Sequence, residues 1–559
     1  VVTWLPTWLP SGSGAPVGSG RTALECDGEG RNRTGDTTIF SRVLYQLSYL
    51  AWPVDGSGGG RARLARGMRR LALLLALLGA LAAAGCGSDE KAPLDQTLAY
   101  FPKDAPLVAS VETDPDGKQY KALDEIVDKL PFGDQAKRAI VQSLERDNRV
   151  DFEKDVKPLL GHPLVVGAPD VRTLSNDEDL LVAAKAKDGD KLKQLIEKSG
   201  DRKVGEKDGA TLYRDDGGNV TALKGDVVLG GGDRRAIEAA LDRGKGGEGL
   251  DEDAFEKGLR GLPRDALVRA SGDLRAILRS DSGSAKARRV KWVDALRSFG
   301  ATASARKDRI DVDFAVRTDP AGLGDADLPF ASGRDAPRVV EQAGKVALGL
   351  RDPSQVIEFA ERAGKAVDPI GFARYALAKR QIEREIGVSI DDDVVGQLTG
   401  DLSVDVAVDG SFGARAELKD PRAFKATLRK SEKVLPSVVE RLGPGARLEK
   451  LGGGLYAISR PGGPVVFGVL NDVFVVASGA ALAREVADGS PTAVKGAKGS
   501  VVIRANAEQV ANSVLRAQGG VSPLGALGGA FVFAPLGELK GSVSSRTAGL
   551  EGSLTLGID

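Results

Sequence analysis

Downstream of residue 97 the chain alternates two hydrophobic rhythms. Segments such as Ile310-Asp311-Val312-Asp313-Phe314-Ala315-Val316 and Leu550-Glu551-Gly552-Ser553-Leu554-Thr555-Leu556 have the period of two expected of strands with one buried face and one wetter face. Others place apolar residues at i, i+3 and i+4 spacing, as Leu123, Ile126, Val127 and Leu130 do, which predicts helices able to cover the buried face. The expected fold class is α+β, with mainly antiparallel sheets covered by helices.

The two rhythms run through the same programme twice, at an offset of about 230 to 246 residues. Leu180 to Asp188, followed by a helix through Leu192 and Ile196, parallels Phe412 to Asp420, followed by Phe424 and Leu428. Upstream of these blocks, Asp155 to Gly161 parallels Asp393 to Gly400. Downstream, Thr211-Leu212-Tyr213 matches Gly454-Leu455-Tyr456, and Asp226 to Leu241 matches Asp472 to Val486. Leu267-Val268-Arg269-Ala270 with its helix matches Val502-Ile503-Arg504-Ala505. Each half closes on a hairpin, Ala301 to Arg317 and Gly541 to Ile558. These matches predict two related halves from an internal duplication, 97–320 and 321–559. A helix-rich stretch from Arg338 to Ile386 should open the second half as Gln119 to Leu144 opens the first.

A different pattern precedes the body. Arg66, Arg69 and Arg70 lead into the apolar run Leu71 to Leu78, then small residues, then Cys86. Such a run is too short for a permanent span, which needs about 20 residues, and suits a secretory h-region. Ala83-Ala84-Gly85-Cys86 resembles the lipobox of bacterial lipoproteins, with Ala83 where that family usually has Leu. The resemblance implies a signal peptide over 68–85, cleavage between Gly85 and Cys86, and lipidation of Cys86. Residues 86–96 would then be a tether, the ten after Cys86 reaching at most about 35 Å, with the body held at the extracytoplasmic face of the cell membrane.

Residues 1–67 show neither rhythm, and Met68 is the chain's one methionine. We expect translation to start there and 1–67 to be disordered upstream translation. The stretch Gly30 to Ala51 resembles a conceptual translation of the antisense strand of a transfer RNA gene.

Composition narrows the chemistry. Nine arginines and five acidic residues fall before Cys86, which leaves 69 basic against 73 acidic residues and a net charge of −4. That balance gives no electrostatic footprint for nucleic acid. The two cysteines are Cys26 and Cys86, so the body has no disulfide, and with one histidine it has no Cys/His zinc set. A Ser-His-Asp triad would depend on His162, in the turn-like Leu160-Gly161-His162-Pro163-Leu164, and no G-x-S-x-G elbow partners it.

The remaining motifs read as local structure. Val227 to Asp233 is a strand, a glycine turn and a helix start without the glycines or Lys-Ser/Thr of a phosphate loop. Asp391-Asp392-Asp393 would point in different directions and fits a helix N-terminus better than a metal loop. Asp215-Asp216-Gly217-Gly218 and Lys245-Gly246-Gly247 are turn chemistry. Trp292, in a helical pattern with Val293 and Leu296, is expected to pack in the core. Asp-Pro pairs at 114, 319, 352 and 420 are expected helix starts, aspartate capping and proline at the first position.

From Phe101-Pro102-Lys103-Asp104-Ala105-Pro106 through Val111 to Gln119, then the helix Ala122 to Leu130 and Pro131-Phe132, the chain resembles the bacterial family catalogued as domain of unknown function 3352. That resemblance implies an exported, often membrane-linked protein, and supplies no activity or site residues. No catalytic, cofactor-binding or metal-binding residues are assigned and no cofactor is expected. The sequence favours a non-catalytic envelope protein that carries or senses an apolar ligand. The alternatives are an envelope scaffold that contacts other proteins and, third, a carboxylate-based hydrolase; the oligomeric state is left open.

Overall fold

The computed structural model describes residues 92–559 except 132, 149–150, 176–179, 199, 216, 281–283, 341–344, 441–444, 461–462 and 518–532. The chain divides into the units Val1–Arg63 and Leu64–Asp559, and every described residue lies in the second. Residues 1–67, the expected signal peptide over 68–85, the expected cleavage site at Gly85/Cys86 and most of the expected tether lie outside the described residues.

The strands of the first half are β1 (Leu107–Val111), β2 (Leu164–Ala168), β3 (Leu181–Lys185), β4 (Arg202–Lys207), β5 (Ala210–Arg214), β6 (Val220–Lys224), β7 (Val227–Gly231), β8 (Val268–Asp273), β9 (Leu296–Arg306) and β10 (Arg309–Thr318). Those of the second are β11 (Arg338–Val339), β12 (Lys345–Arg351), β13 (Asp401–Ala407), β14 (Phe412–Glu417), β15 (Arg447–Gly452), β16 (Leu455–Ser459), β17 (Val465–Leu470), β18 (Val473–Ala477), β19 (Thr492–Ala493), β20 (Val501–Asn506), β21 (Leu536–Arg546) and β22 (Gly549–Ile558). All but β11 and β19, which pair with each other, belong to one 20-stranded sheet.

Every pairing in that sheet is antiparallel. From one edge the order is β4, β5, β6, β7, β3, β2, β1, β8, β9, β10, then β22, β21, β20, β12, β13, β14, β18, β17, β16, β15. Read from the two edges inwards, the halves follow the same pairing order, and they meet where β10 pairs with β22 over Arg309↔Gly557 to Arg317↔Gly549. The α+β class with a mainly antiparallel sheet is what the alternating rhythms predicted.

Matching helices cover matching flanks. Helix Arg234–Gly246 starts where the Asp233 side chain accepts the Ala236 amide at 2.7 Å and stops at Gly247, whose φ of 70° suits glycine. It buries Ile237, Ala240 and Leu241 on Leu212, Ala222 and Leu229. Helix Ala480–Asp488 repeats that i, i+3, i+4 spacing with Ala483, Val486 and Ala487 on Leu455, Ala457, Val466 and Val475. The opposite faces take helices Gly189–Lys198, through Leu192 and Ile196, and Pro421–Ser431, whose Phe424 meets Phe474 edge-on at 5.1 Å. Each large aliphatic side chain buried this way is worth about 1.5–3 kcal/mol.

The two edge strands are protected alike. β4 slips register between Lys203 and Gly205 and β15 between Lys450 and Gly452. Bulges and charged side chains at both ends blunt strand addition.

Several local expectations need correction. Of the Asp-Pro pairs, Asp420 caps as expected, accepting the Arg422 amide at 2.9 Å and the Ala423 amide at 3.0 Å. Asp352 precedes helix Pro353–Val367 but sits at φ 45° and makes no capping bond. Asp114 accepts the Asp116 amide in a turn ahead of Gly117, the residue that precedes helix Lys118–Lys129. Asp319 closes a turn on Ala321 and ion-pairs with Arg297. An Asp-Pro that sequence reading passed over, Asp368-Pro369, does cap a helix, through the Gly371 amide at 3.0 Å. The opening stretch from Arg338 contains β11 and β12 before its helices Pro353–Val367 and Pro369–Ile386. Trp292 sits half-buried in a helix of one turn, Lys291–Asp294, and Leu296 already belongs to β9.

Candidate binding face of the central sheet

The strands Ile310 to Val316 and Leu550 to Leu556 were expected to bury their apolar face. They pair with each other at the middle of the sheet, and although Ala315 and Val316 are buried, Ile310, Val312, Phe314, Leu550, Leu554 and Leu556 stay partly open to solvent. The register extends that side across eight strands. One row runs Ala303, Val312, Leu554, Gly541, Ile503, Leu348, Val404, Ala414; the next runs Ala301, Phe314, Gly552, Val543, Val501, Leu350, Leu402, Ala416. Every position in both rows is apolar or glycine. Apart from Gly541 and Ala416 none is buried; Leu554 is 37% exposed, and Val406, two residues beyond Val404 on the same side of β13, is 38% exposed.

The glycines have a steric reason to be in these rows. A Cβ on Gly552 would lie 2.5 Å from the Phe314 ring, and one on Gly541 2.7 Å from the Ser553 carbonyl. Helix Lys118–Lys129 closes one end of the face: Ile126 packs with Ala305 and Ile558, against Ile310 and Leu556. Three side-chain bonds moor this segment. Gln119 donates from Nε2 to the Asp265 carbonyl at 3.2 Å and accepts the Ala305 amide at 2.8 Å, while Lys129 Nζ donates to the Ile558 carbonyl at 3.0 Å.

The reverse side of the same strands is mostly polar, with Ala347 and Val502 buried against Val339 and Val494. A row there reads Ser304, Asp311, Thr555, Lys540, Arg504, Ala347, Asp405, Gly413. Burial opposes ionisation of Asp311, but Thr555 Oγ1 donating at 2.8 Å, together with Arg306 and Arg309, outweighs it and lowers its pKa. Asp313, one strand position on, is pushed up by burial and then by the Asp311 charge. Opposed shifts of this kind can mark an acid and base pair. Here both carboxylates lie half-buried on a sheet face rather than in a described cleft.

The other sequence candidates resolve into local structure. Thr113 Oγ1 donates to the His162 carbonyl at 2.6 Å and accepts the Gly161 amide at 3.3 Å, tying down the turn before β2. Burial, then Lys185 and Lys187, lower the His162 pKa. The Asp391 carboxylate pairs with Lys379, Asp392 accepts from Ser389 Oγ at 3.0 Å, and Asp393 accepts the Ser389 amide at 2.9 Å, so the three diverge. Val227 to Asp233 is a strand and a capped turn, and Asp215 Oδ1 accepts the Asn219 amide at 2.9 Å within its turn. An open concavity of about 680 Å³, lined by Leu377, Arg380, Arg384 and neighbours, lies on helix Pro369–Ile386. No described helix is long and apolar enough to cross a membrane. The binding face itself went unread in the sequence; its signal was the apolar alternation of β10, β20, β21 and β22, which gives a face its chemistry without saying what covers it.

The fold and this face define a mixed α/β protein built on one broad antiparallel sheet. Residues 70–267 match the family model described as "Protein of unknown function (DUF3352)". No curated protein matches the chain. Among solved structures, crystal forms III and I of TP0453 are 10% and 9% identical, cover 42% of this chain and 84% and 83% of theirs, and superpose with TM-scores of 0.24. Superposition at that level does not establish a shared fold.

Proposed function

We propose that this chain is an exported envelope protein, lipid-anchored through Cys86 after cleavage at Gly85, whose body is a non-catalytic docking module for another envelope protein. The observation that carries the docking reading is the pair of apolar rows across eight central strands, left half-open beside exposed Leu554 and Val406. Contiguous apolar area of this kind is characteristic of interaction surfaces. An enclosed cavity would have favoured a ligand carrier; the apolar surface is instead an open sheet face, which suits a broad macromolecular partner better than a small ligand. The common pairing order of the two halves supports a duplication, with 97–320 and 321–559 as its copies. The family match over residues 70–267 agrees with an unassigned role.

The test is site-specific photocrosslinking in membranes at Leu554 and Val406, with Lys540 on the reverse face as control. A discrete protein adduct is expected from the first two sites, lost when Val404→Glu is added. If a stoichiometric lipid instead co-purifies and is released by Val404→Glu, the carrier reading replaces this one. Mass analysis of the N-terminal peptide, with and without Cys86→Ala, tests the anchor separately. An unmodified product beginning elsewhere than Cys86 would refute it.

A further inference from the structure

Helix Pro369–Ile386 has an inner and an outer side of different chemistry. On the inner side Lys379 is buried and bridges Glu361 Oε1, at 2.8 Å on the preceding helix, and Asp391. Tyr375 donates to the same Glu361 at 2.7 Å, and burial followed by that contact pushes its pKa up to about 12. Phe372 and Tyr375 rings lie 5.6 Å apart. These contacts fix the helix against Pro353–Val367 and decide which side faces out.

The outer side carries Ile370, Arg374, Leu377, Gln381 and Arg384 at alternating four- and three-residue steps, one stripe of a helix, with Arg380 one turn from both Leu377 and Arg384. Ile370 is 71% exposed and Leu377 60% exposed, more than the other large apolar side chains exposed among the described residues. With Arg380 this side has three arginines against one carboxylate, Glu385, which lies one turn beyond Gln381. Glu385 accepts from Gln381 at 3.0 Å within the stripe, while Glu383 accepts the Ile390 amide at 2.8 Å and the exposed Asp368 caps the helix through Gly371. Leu377, Arg380 and Arg384 also line the open concavity of about 680 Å³, together with Glu383 and Ser389.

We infer that this helix is a membrane-surface element that docks on anionic phospholipid. Ile370 and Leu377, about 10 Å apart at the helical rise, enter the acyl boundary; Arg374, Arg380 and Arg384 meet the lipid phosphates, their stems lying along the apolar layer. Charge complementarity selects a lipid surface here, because three guanidinium groups against one carboxylate already hydrogen-bonded to Gln381 leave this side net positive and match a field of phosphates. This surface is distinct from the central sheet face and does not depend on the anchor reading.

The test uses the full chain with Cys26→Ala, Cys86→Ala and Leu377→Cys, labelled at residue 377 with an environment-sensitive dye. Vesicles of phosphatidylcholine with phosphatidylglycerol should shift its emission to the blue, and vesicles of phosphatidylcholine alone should not. The same dye at Lys103→Cys should stay unchanged with either. Replacing Arg374, Arg380 and Arg384 by Gln should weaken the response at residue 377 about tenfold to a hundredfold, and raised salt should weaken it as well. Circular dichroism confirms that each variant is folded. No shift with anionic vesicles, an equal shift with neutral ones, or an unaltered response in the arginine variant each overturns the inference. Because the dye reports residue 377 in a chain that has no Cys86, failure of the lipid-anchor reading leaves this result interpretable.

Discussion

The flanks and the centre of the sheet are built from strands of the same antiparallel pattern and end in opposite environments. On the flanks, Leu212, Leu229, Val475 and Ala477 are almost wholly excluded from solvent because helices lie over them. At the centre, Val312, Phe314, Ile503 and Val404 have the same chemistry and the same alternation and remain half-open. The lesson is that alternation specifies which side of a strand is apolar, whereas burial of that side requires another element to arrive. A helix does arrive at one end of the centre, where Ile126 meets Ala305 and Ile558.

The largest expected effect tests whether the two regions really differ in burial. Phe424→Ala, on a flank, should cost about 3–5 kcal/mol in chemical denaturation. Phe314→Ala, at the centre, should cost about 1–2 kcal/mol, since part of its surface already meets water. Equal losses would mean that the centre is a closed core and would remove the comparison.

Charge placed on each region sharpens it further. Leu229→Glu should prevent cooperative folding, for it buries an unpaired carboxylate. Leu554→Glu or Val406→Glu should stay within about 0.5 kcal/mol of the parent chain while reducing fluorescence of an added hydrophobic dye. Dye binding that is indifferent to both central variants would count against an open apolar face.

The reverse side of the centre should reveal itself in pH dependence. Asp313 is pushed up, so its folded form holds a proton more tightly than the unfolded chain does. Its stabilising contribution is complete in acid and is lost as pH rises through the folded pKa. Asp313→Asn should therefore raise the melting temperature near neutrality, with the gain fading as pH falls towards about 4. Asp311 has the opposite sign: its contribution is present above the unfolded pKa and is lost as pH falls through the lowered folded one. Asp311→Asn should lower the neutral melting temperature and matter little in acid. Matching pH profiles for the two variants would contradict the opposed environments.

The smallest effect concerns the far edges. Lys203→Thr and Lys450→Thr should change stability by no more than about 0.5 kcal/mol, yet together they should raise light scattering on concentration. Unpaired strand edges depend on charge and bulges to stay unpaired. Unchanged scattering would show that the bulges alone suffice.

Much of the fold was legible from residue periodicity. Ile237, Ala240 and Leu241 and their counterparts Ala483, Val486 and Ala487 announce the flank helices, and Asp233 and Asp420 announce where helices begin. Asp114 and Asp319 misled because an Asp-Pro pair stabilises a turn as readily as a helix start, the choice resting with the residues downstream of the proline. Trp292 misled because its apolar neighbours continue into a strand within two residues of the end of its helix. The candidate face was less legible still, since its rows join residues more than 200 positions apart, such as Val312 and Leu554.

Sequence alone determined the α+β class, the strand and helix blocks that recur in the two halves, the lack of a disulfide in the body, and the expectation of an anchor at Cys86. These come from local rules, because period, caps, turns and targeting segments are written in neighbouring residues. Tertiary structure decided that the two closing hairpins pair through β10 and β22, that one sheet spans both halves, and that helix Lys118–Lys129 covers one end of the central apolar rows while the rest stays half-open. Those outcomes rest on contacts between distant segments. Apolar side chains show that a surface favours leaving water, and only the assembled chain shows which of them found cover.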